Sequence, residues 1–513
     1  MSRRRLPAAL LACVAVPAAI LTGCGGGSKN VDVGPAAAVP ENAPIYLDAT
    51  VKPTGSAQTD ANAALGKILN TNDPGGKIVS LIGKQKTATG QPVNYQTDIA
   101  PWLGQKVGIF FTTLGQTTSQ GSAVIETTNP SAALAWAKKS EGTSGAPKTV
   151  DGVTYQVAKD GKTAYATAGN FLLVGTLAGV TAAINADHGS SLGDSSDFKN
   201  AIGDLPSDRL GTLYTVPKDF IAALGPSQVP PSQQHALESA AGDALNQPVA
   251  GAVSASSDSI ELQATGGSNG VETPQSSLLG EVPSQAWLAF GIANLGDSIK
   301  NALDQLKSSF PNIDQALSQV QAATGSSVDQ LTGALGDAVL YVQGTTRSTL
   351  TGALVVQTKD PSLTGRLLGQ LNSLLQLGAR SGGGGVKPLH LSGGGTGFQI
   401  NDPSVAARPV EIAQQGDKLV IGYGAGSAEA SLTPAQKLSG NPTFTTAEGK
   451  VSSLGTDFFL NLQSVFALAE STGAKKNPNY VQAKPYLDAL SYLVTGSGTE
   501  NGKTEFKAVV GLK

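Results

Sequence analysis

Six stretches from the first half of the chain return, in the same order, in the second half, and this constrains the fold more than any other feature. "VPENAPIYLDATV" (39–51) returns as "VPSQAWLAFGIAN" (282–294), and "PWLGQKVGIFFTT" (101–113) as "GALGDAVLYVQGT" (333–345). "GSAVIETTNPSAALAW" (121–136) is matched by "GALVVQTKDPSLTGRL" (352–367), and "NFLLVGTLAGVTAAI" (170–184) by "DKLVIGYGAGSAEAS" (417–431). "DRLGTLYTVPKDFIAAL" (208–224) pairs with "SSLGTDFFLNLQSVFAL" (452–468), and "SIELQATGG" (259–267) with "KTEFKAVVG" (503–511). Each match is weak, but six in one order at offsets of about 230–247 predict a tandem duplication.

The repeated unit reads as α+β. "GSAVIETTNP" is a strand, with Asn129 placed to cap a helix that opens at Pro130; Asp360 and Pro361 take the same roles in the second copy. A hairpin ("VTYQVAK", "TAYATAG"), a strand ending in glycine ("FLLVG") and a short helix ("GVTAAINA") follow. Each copy ends on an alternating strand such as Ile260-Glu261-Leu262-Gln263-Ala264, which suits a sheet with one wet face. Over 362–378, Leu363, Leu367, Leu368, Leu371, Leu374 and Leu375 share one side of a helix, with Arg366, Gln370 and Gln376 opposite. The expected fold is two tandem copies of an antiparallel sheet covered by amphipathic helices on one face. The copies span 39–265 and 281–513, joined by a linker over 266–280, and 379–397 is expected to be a loop.

The N-terminus gives an address. Arg3, Arg4 and Arg5 precede an apolar stretch from Leu6 to Leu21, about the length of a secretory h-region and short for a spanning helix. Leu21, Thr22 and Gly23 then lead directly into Cys24. This order resembles the signal peptide and lipobox of bacterial membrane lipoproteins. The resemblance implies cleavage between Gly23 and Cys24, removal of segment 1–23, and a diacylglycerol on the Cys24 thiol. Cys13 would leave with the peptide, so Cys24 is expected to remain as the sole cysteine, with no intramolecular disulfide. Two acyl chains supply the double signal that stable anchoring needs. Gly25 is not aspartate and gives no inner-membrane retention signal. Residues 24–38 read as a flexible tether, about 20 Å long on average by the random-coil relation. The folded part also resembles a family of exported bacterial lipoproteins known only as a domain of unknown function, whose members open on a "VP-x-x-A" strand like Val39, Pro40 and Ala43 here. That resemblance carries no catalytic residue across.

Composition narrows the function classes. Without the three arginines of segment 1–23 the chain has 32 basic against 38 acidic residues and no like-charged block, so no nucleic-acid partner is expected. No later apolar run reaches the roughly 18 residues of a membrane helix. The three histidines, His188, His235 and His390, have no ligand partner at helical spacing, and no metal site or cofactor is expected. "NTNDPGG" (70–76) and "GDSSD" (193–197) read as turns. "GSSLG" satisfies G-x-S-x-G around Ser191, yet it follows a helix, where a nucleophile elbow needs a strand. Ser298 in "LGDSI" has no Asp-x-x-His partner downstream, and Asp297 and Ser298 are expected to cap a helix. "GYGAG" (422–426) hints at a phosphate cradle, but its counterpart "GTLAG" (175–179) keeps only the outer glycines, as a tight strand-to-helix passage requires. Trp102, Trp136 and Trp287 are expected in the core, with an apolar groove as the alternative.

The expected protein is therefore not an enzyme. It is a lipid-anchored, extracytoplasmic binding protein of the cell envelope, tied to the membrane through acylated Cys24. Its partner is an envelope protein, a wall polymer or a lipid. The alternative is a carrier that holds a lipid or other apolar ligand between sheet and helices or between the two repeats. A carrier needs a continuous apolar cavity; a binding module needs packed cores and an exposed patch.

Overall fold

A computed structural model describes residues 32–82, 87–115, 119–225, 229–230, 234, 238, 242–266, 274–309, 313–382, 385–500 and 503–513. The signal segment, Gly23, Cys24, His235 and most of the linker's first half lie outside these residues. The chain forms two compact units. One comprises Met1–Val271 with Thr499–Lys507 and Leu512–Lys513, the other Glu272–Gly498 with Ala508–Gly511. Both are mixed α+β, with antiparallel strands throughout.

In the first unit the strands are β1 (Ile45–Thr50), β2 (Leu103–Thr113), β3 (Gln120–Thr127), β4 (Lys148–Val150), β5 (Val153–Val157), β6 (Thr163–Ala168), β7 (Phe171–Thr176), β8 (Gly211–Thr215), β9 (Val249–Ser256) and β10 (Ser259–Gly266). They pair in the order β4-β5-β6-β7-β3-β2-β1-β8-β9-β10. The helices are α1 (Gly55–Leu69), α2 (Pro74–Ile82), α3 (Pro130–Glu141), α4 (Leu177–His188), α5 (Ser196–Gly203) and α6 (Pro217–Leu224).

Over β3, β6 and β7 the sheet of this unit is covered on both faces, which differs from the one-faced cover expected, whereas Leu47 on β1, Val253 on β9 and Leu262 on β10 are 39–40% exposed. Val124 and Leu173 enter one core with Tyr46, Phe110, Phe198 and Ile184. Their sequence neighbours Ala123, Ile125, Leu172 and Val174 enter a second core with Trp102, Ala133 and Tyr165. Side chains alternate across a strand, so the unbroken apolar runs "AVI" and "LLV" mean burial on both sides rather than one. Asn129 accepts from the Ala132 N–H at 3.1 Å and Pro130 opens α3, as the sequence predicts. Residues 34–38, expected in the tether, instead form a 3-10 turn with Pro35, Ala36 and Ala38 buried against the first core. Burial of these small apolar side chains draws the end of the tether into the fold.

The second unit contains β11 (Ala286–Ile292), β12 (Leu335–Gln343), β13 (Thr351–Thr358), β14 (Gly385–Pro388), β15 (Thr396–Asn401), β16 (Val410–Gln415), β17 (Lys418–Tyr423), β18 (Phe458–Asn461) and β19 (Leu490–Glu500); the last strand, β20, is Lys503–Leu512. The pairing order is β14-β15-β16-β17-β13-β12-β11-β18-β19. Its helices are α7 (Leu295–Ser309), α8 (Ile313–Thr324), α9 (Val328–Gly333), α10 (Pro361–Gly382), α11 (Ser427–Leu432), α12 (Pro442–Val451), α13 (Leu462–Ser471) and α14 (Pro478–Leu487). One core holds Val339, Tyr341, Val355, Val420, Phe444 and Phe459, with the Phe444 and Phe459 rings edge to face at 5.2 Å. Leu278 and Leu279, expected in the linker, are buried in this core. The expected loop over 379–397 is shorter, because α10 runs to Gly382 and β14 follows. Among the described residues no helix is long and apolar enough to cross a membrane.

Candidate functional site

Several residues with a chemical look to their sequence make structural contacts. Ser191 is buried, and its hydroxyl donates to Asp194 Oδ2 at 2.6 Å while its N–H reaches the same carboxylate at 3.1 Å. The hydroxyl is thus held by Asp194 in a capping box at a helix entry, with no histidine among its hydrogen-bond partners in the described residues. Helix α7 begins at Leu295, so Asp297 and Ser298 lie in its first turn rather than capping it. His188 closes α4, half-exposed and 4.0 Å from Asp187, and His390 is exposed in the loop after β14. Asp73 accepts from the Gly76 N–H at 2.8 Å at the start of α2. Among the described residues no three His, Cys, Asp or Glu side chains converge to hold a metal ion. Trp102 is buried and donates to the Asp98 carbonyl at 2.6 Å, with the Trp136 ring 5.3 Å away, and Trp287 donates to the Gly344 carbonyl at 2.8 Å.

The "GYGAG" loop is filled from within. Gly424 and Gly426 take φ of +93° and +79°, which turns the backbone N–H groups inward toward Glu411 on β16. That buried carboxylate accepts from Gly426 N at 2.8 Å and Ala428 N at 2.9 Å. Where a nucleotide phosphate would lie in a cradle of this kind, the chain supplies its own anion.

What stands out instead is the outer face of the second unit's sheet. Strand register aligns Phe458, Phe290, Leu340, Leu354, Ile421 and Ile412 in one row across β18, β11, β12, β13, β17 and β16. A parallel row holds Leu460, Leu288, Val342, Gly352, Tyr423 and Val410. Phe290 and Leu340 are each 42% exposed and Ile421 is 43% exposed, with no charged side chain in either row. The Phe290 and Phe458 rings lie edge to face at 6.5 Å. In the first unit β2, β3 and β7 carry Ile109, Ala123 and Val174 in one such row, and there Val174 is only 6% exposed because Trp102, Tyr95 and Ile78 pack over that end of the face, while Leu47, next in the row on β1, is 39% exposed. Helix α10 buries Leu368 near its start, whereas Leu371, Leu374 and Leu377 beyond it are exposed, Leu374 to 62%. The leucine stripe predicted for this helix is therefore used over its first turns alone. The sequence carried a signal for the exposed row, the alternation in "WLAFGI", but a one-residue slip would have placed it in the core.

A family described as "Protein of unknown function (DUF3352)" matches residues 8–512. The chain belongs to that family. Membership fits the expectation of a family known only as a domain of unknown function, and it assigns no activity. No curated protein matches the chain. Among solved structures, crystal forms IV, III and I of TP0453 are 13%, 11% and 13% identical, covering 78%, 79% and 79% of this chain and 96%, 99% and 98% of their own. Their TM-scores of 0.15, 0.15 and 0.14 carry neither fold nor function across.

Proposed function

We propose that this is a non-enzymatic binding protein of the cell envelope, held outside the cytoplasmic membrane by a lipid on Cys24. Its working surface in this reading is the outer sheet face of the second unit. The observation that carries the reading is the uncharged row from Phe458 to Ile412, exposed beside a packed core. Monomeric proteins seldom expose contiguous apolar patches unless they mark an interaction site. Aliphatic and aromatic side chains favour a protein or lipid surface over a polar wall polymer. We also infer that the units arose by duplication of one ancestor, over 39–265 and 281–513. The shared order of strand pairing supports this.

A second reading, the lipid carrier, draws support from the exposed leucines of α10. One experiment separates the two. The anchored protein and a variant carrying Phe290→Ser, Leu340→Ser and Ile421→Ser are cross-linked in cells, and each is extracted with organic solvent for mass spectrometry. A protein cross-link lost in the variant supports the binding module. A stoichiometric lipid in the extract transfers the function to the carrier, and identical cross-links in both proteins refute the proposed surface.

A further inference from the structure

We propose that a cleft on the first unit, independent of the apolar face, binds a small zwitterion: a free amino acid or the end of a peptide. The cleft encloses about 710 Å³ and opens to solvent, with the charged side chains Asp32, Asp48, Asp208, Lys106 and Arg209 in its wall beside Thr212.

Asp48 is the acid on its sheet wall. It stands on the core-facing side of β1, two residues from buried Tyr46, opposite Thr212 on β8 and Gly108 on β2. A carboxylate there is costly, and burial pushes Asp48 above the usual carboxylate range. The Tyr46 hydroxyl donates to its Oδ2 at 3.1 Å, and Thr212 supplies a further hydrogen bond. Gly108 leaves room for this arrangement, since a Cβ there would meet Pro35 at 2.7 Å and the Tyr46 ring at 3.0 Å.

Two cations stand beside Asp48 in the same cluster. Strand β2 pairs Leu103 with Thr127 and next Val107 with Ile125, so residues 104–106 bulge opposite Glu126 alone. The Glu126 carboxylate takes both N–H groups freed by the bulge, Gln105 at 3.1 Å and Lys106 at 2.8 Å. The bulge aims Lys106 into the cleft, where its ammonium pairs with Asp32 at 2.7 Å. Arg209 donates from Nε to Thr212 Oγ1 and from a terminal nitrogen to the Pro206 carbonyl, both at 3.0 Å, so its guanidinium is fixed beside Asp48's own partner. The first turn of α1 lines the same wall, and its N-cap Thr54 makes no capping hydrogen bond.

The second unit builds the same strand order without these charges. Gly291 stands in the sequence match where Asp48 does, Ser453 where Arg209 does, and the β12 bulge is one residue shorter. The sheet therefore does not require them. A simple anion would meet Asp32 and Asp48 and a simple cation would meet Lys106 and Arg209; a ligand bearing both an ammonium and a carboxylate has a partner for each of its charges in this mixed cluster.

Calorimetric titration of the full chain in detergent tests this with glycine and alanyl-alanine as probes and acetate and methylammonium as half-ligands. The expected result is saturable one-to-one binding of at least one zwitterion, at least tenfold tighter than either half-ligand. Asp48→Asn and Arg209→Met are each expected to weaken it tenfold or more with the melting transition retained. Arg209→Lys stands in for the test where Arg209→Met fails to fold, and Thr212→Val where Asp48→Asn does. No binding of either zwitterion at millimolar concentration overturns the proposal. So does acetate or methylammonium binding as tightly as the zwitterion, or an unchanged affinity in the folded variants.

Discussion

Replacing Glu411 with alanine should destabilise the second unit heavily. Its carboxylate is 2% exposed and accepts from Gly426 N and Ala428 N at 2.8 and 2.9 Å, with the Ser427 hydroxyl at 3.4 Å. Hydrogen bonds to a charged group contribute about 1.5–3 kcal/mol each, and the orphaned donors add their own desolvation cost. Two such bonds give roughly 3–6 kcal/mol, less whatever an entering water recovers. A domain of this size shifts by about 2–4 °C per kcal/mol, so the melting transition should fall by roughly 6–24 °C. Glu411→Gln keeps one acceptor oxygen and places an amide NH2 against a donor, so it should lie between wild type and alanine. Differential scanning calorimetry of the full chain reads the effect directly. Inorganic phosphate should recover part of the loss in the alanine variant and none in wild type, because only the former has an empty nest of N–H groups. An alanine variant melting within 2 °C of wild type would refute the view that the glycine turn is held by its own anion.

Adjacent residues on β12 should behave oppositely: Leu340→Ser should change stability by less than about 1 kcal/mol, whereas Tyr341→Ala should cost about 3–5 kcal/mol by urea denaturation. Burial raises the Glu141 carboxyl above its ordinary value, with Ser140 as its one side-chain partner at 3.4 Å. A carboxyl raised in the folded state contributes stability fully below its ordinary value and loses it as pH rises through the raised value. The difference in urea midpoint between wild type and Glu141→Gln should therefore move in favour of the variant between pH 4 and pH 8, and a pH-independent difference would count against burial as the cause. Asn129→Ala removes the cap on Ala132 N and should cost about 1 kcal/mol in the same assay.

The local rules of the chain were legible in its sequence, while the groups that meet across it were not. Asn129 with Pro130 and Asp360 with Pro361 announce their helices because caps act over three residues; the Asp360 carboxylate accepts from Leu363 N at 2.9 Å. The hairpin of β5 and β6 is equally local. Glu411 and the glycine loop are joined only once β16 and β17 pair, and no spacing rule singles out that glutamate among the acids of the chain. Asp48, Lys106 and Arg209 come together through the register of β8, β1 and β2 and through a bulge, neither of which a period of two residues encodes. Two-faced burial did leave a trace, the unbroken "LLV" of β7, which an alternating template passes over.

The same register logic separates the two units. Both put an apolar row across the strands that flank the central pair, yet Val174 is covered and Ile421 is open. In the first unit the cover comes from bulky groups outside the sheet, Trp102, Tyr95 and Ile78, which hold the second core together. In the second unit the leucines available for that task, Leu371, Leu374 and Leu377, face water on the later turns of α10. Drift toward a soluble surface would place polar side chains at Phe290, Leu340 and Ile421, since a serine or threonine fits a strand at little cost. The apolar row from Phe458 to Ile412 across six strands supports the proposed reading, in which something covers it in use, and the serine-substituted face is the perturbation to which that reading is most exposed.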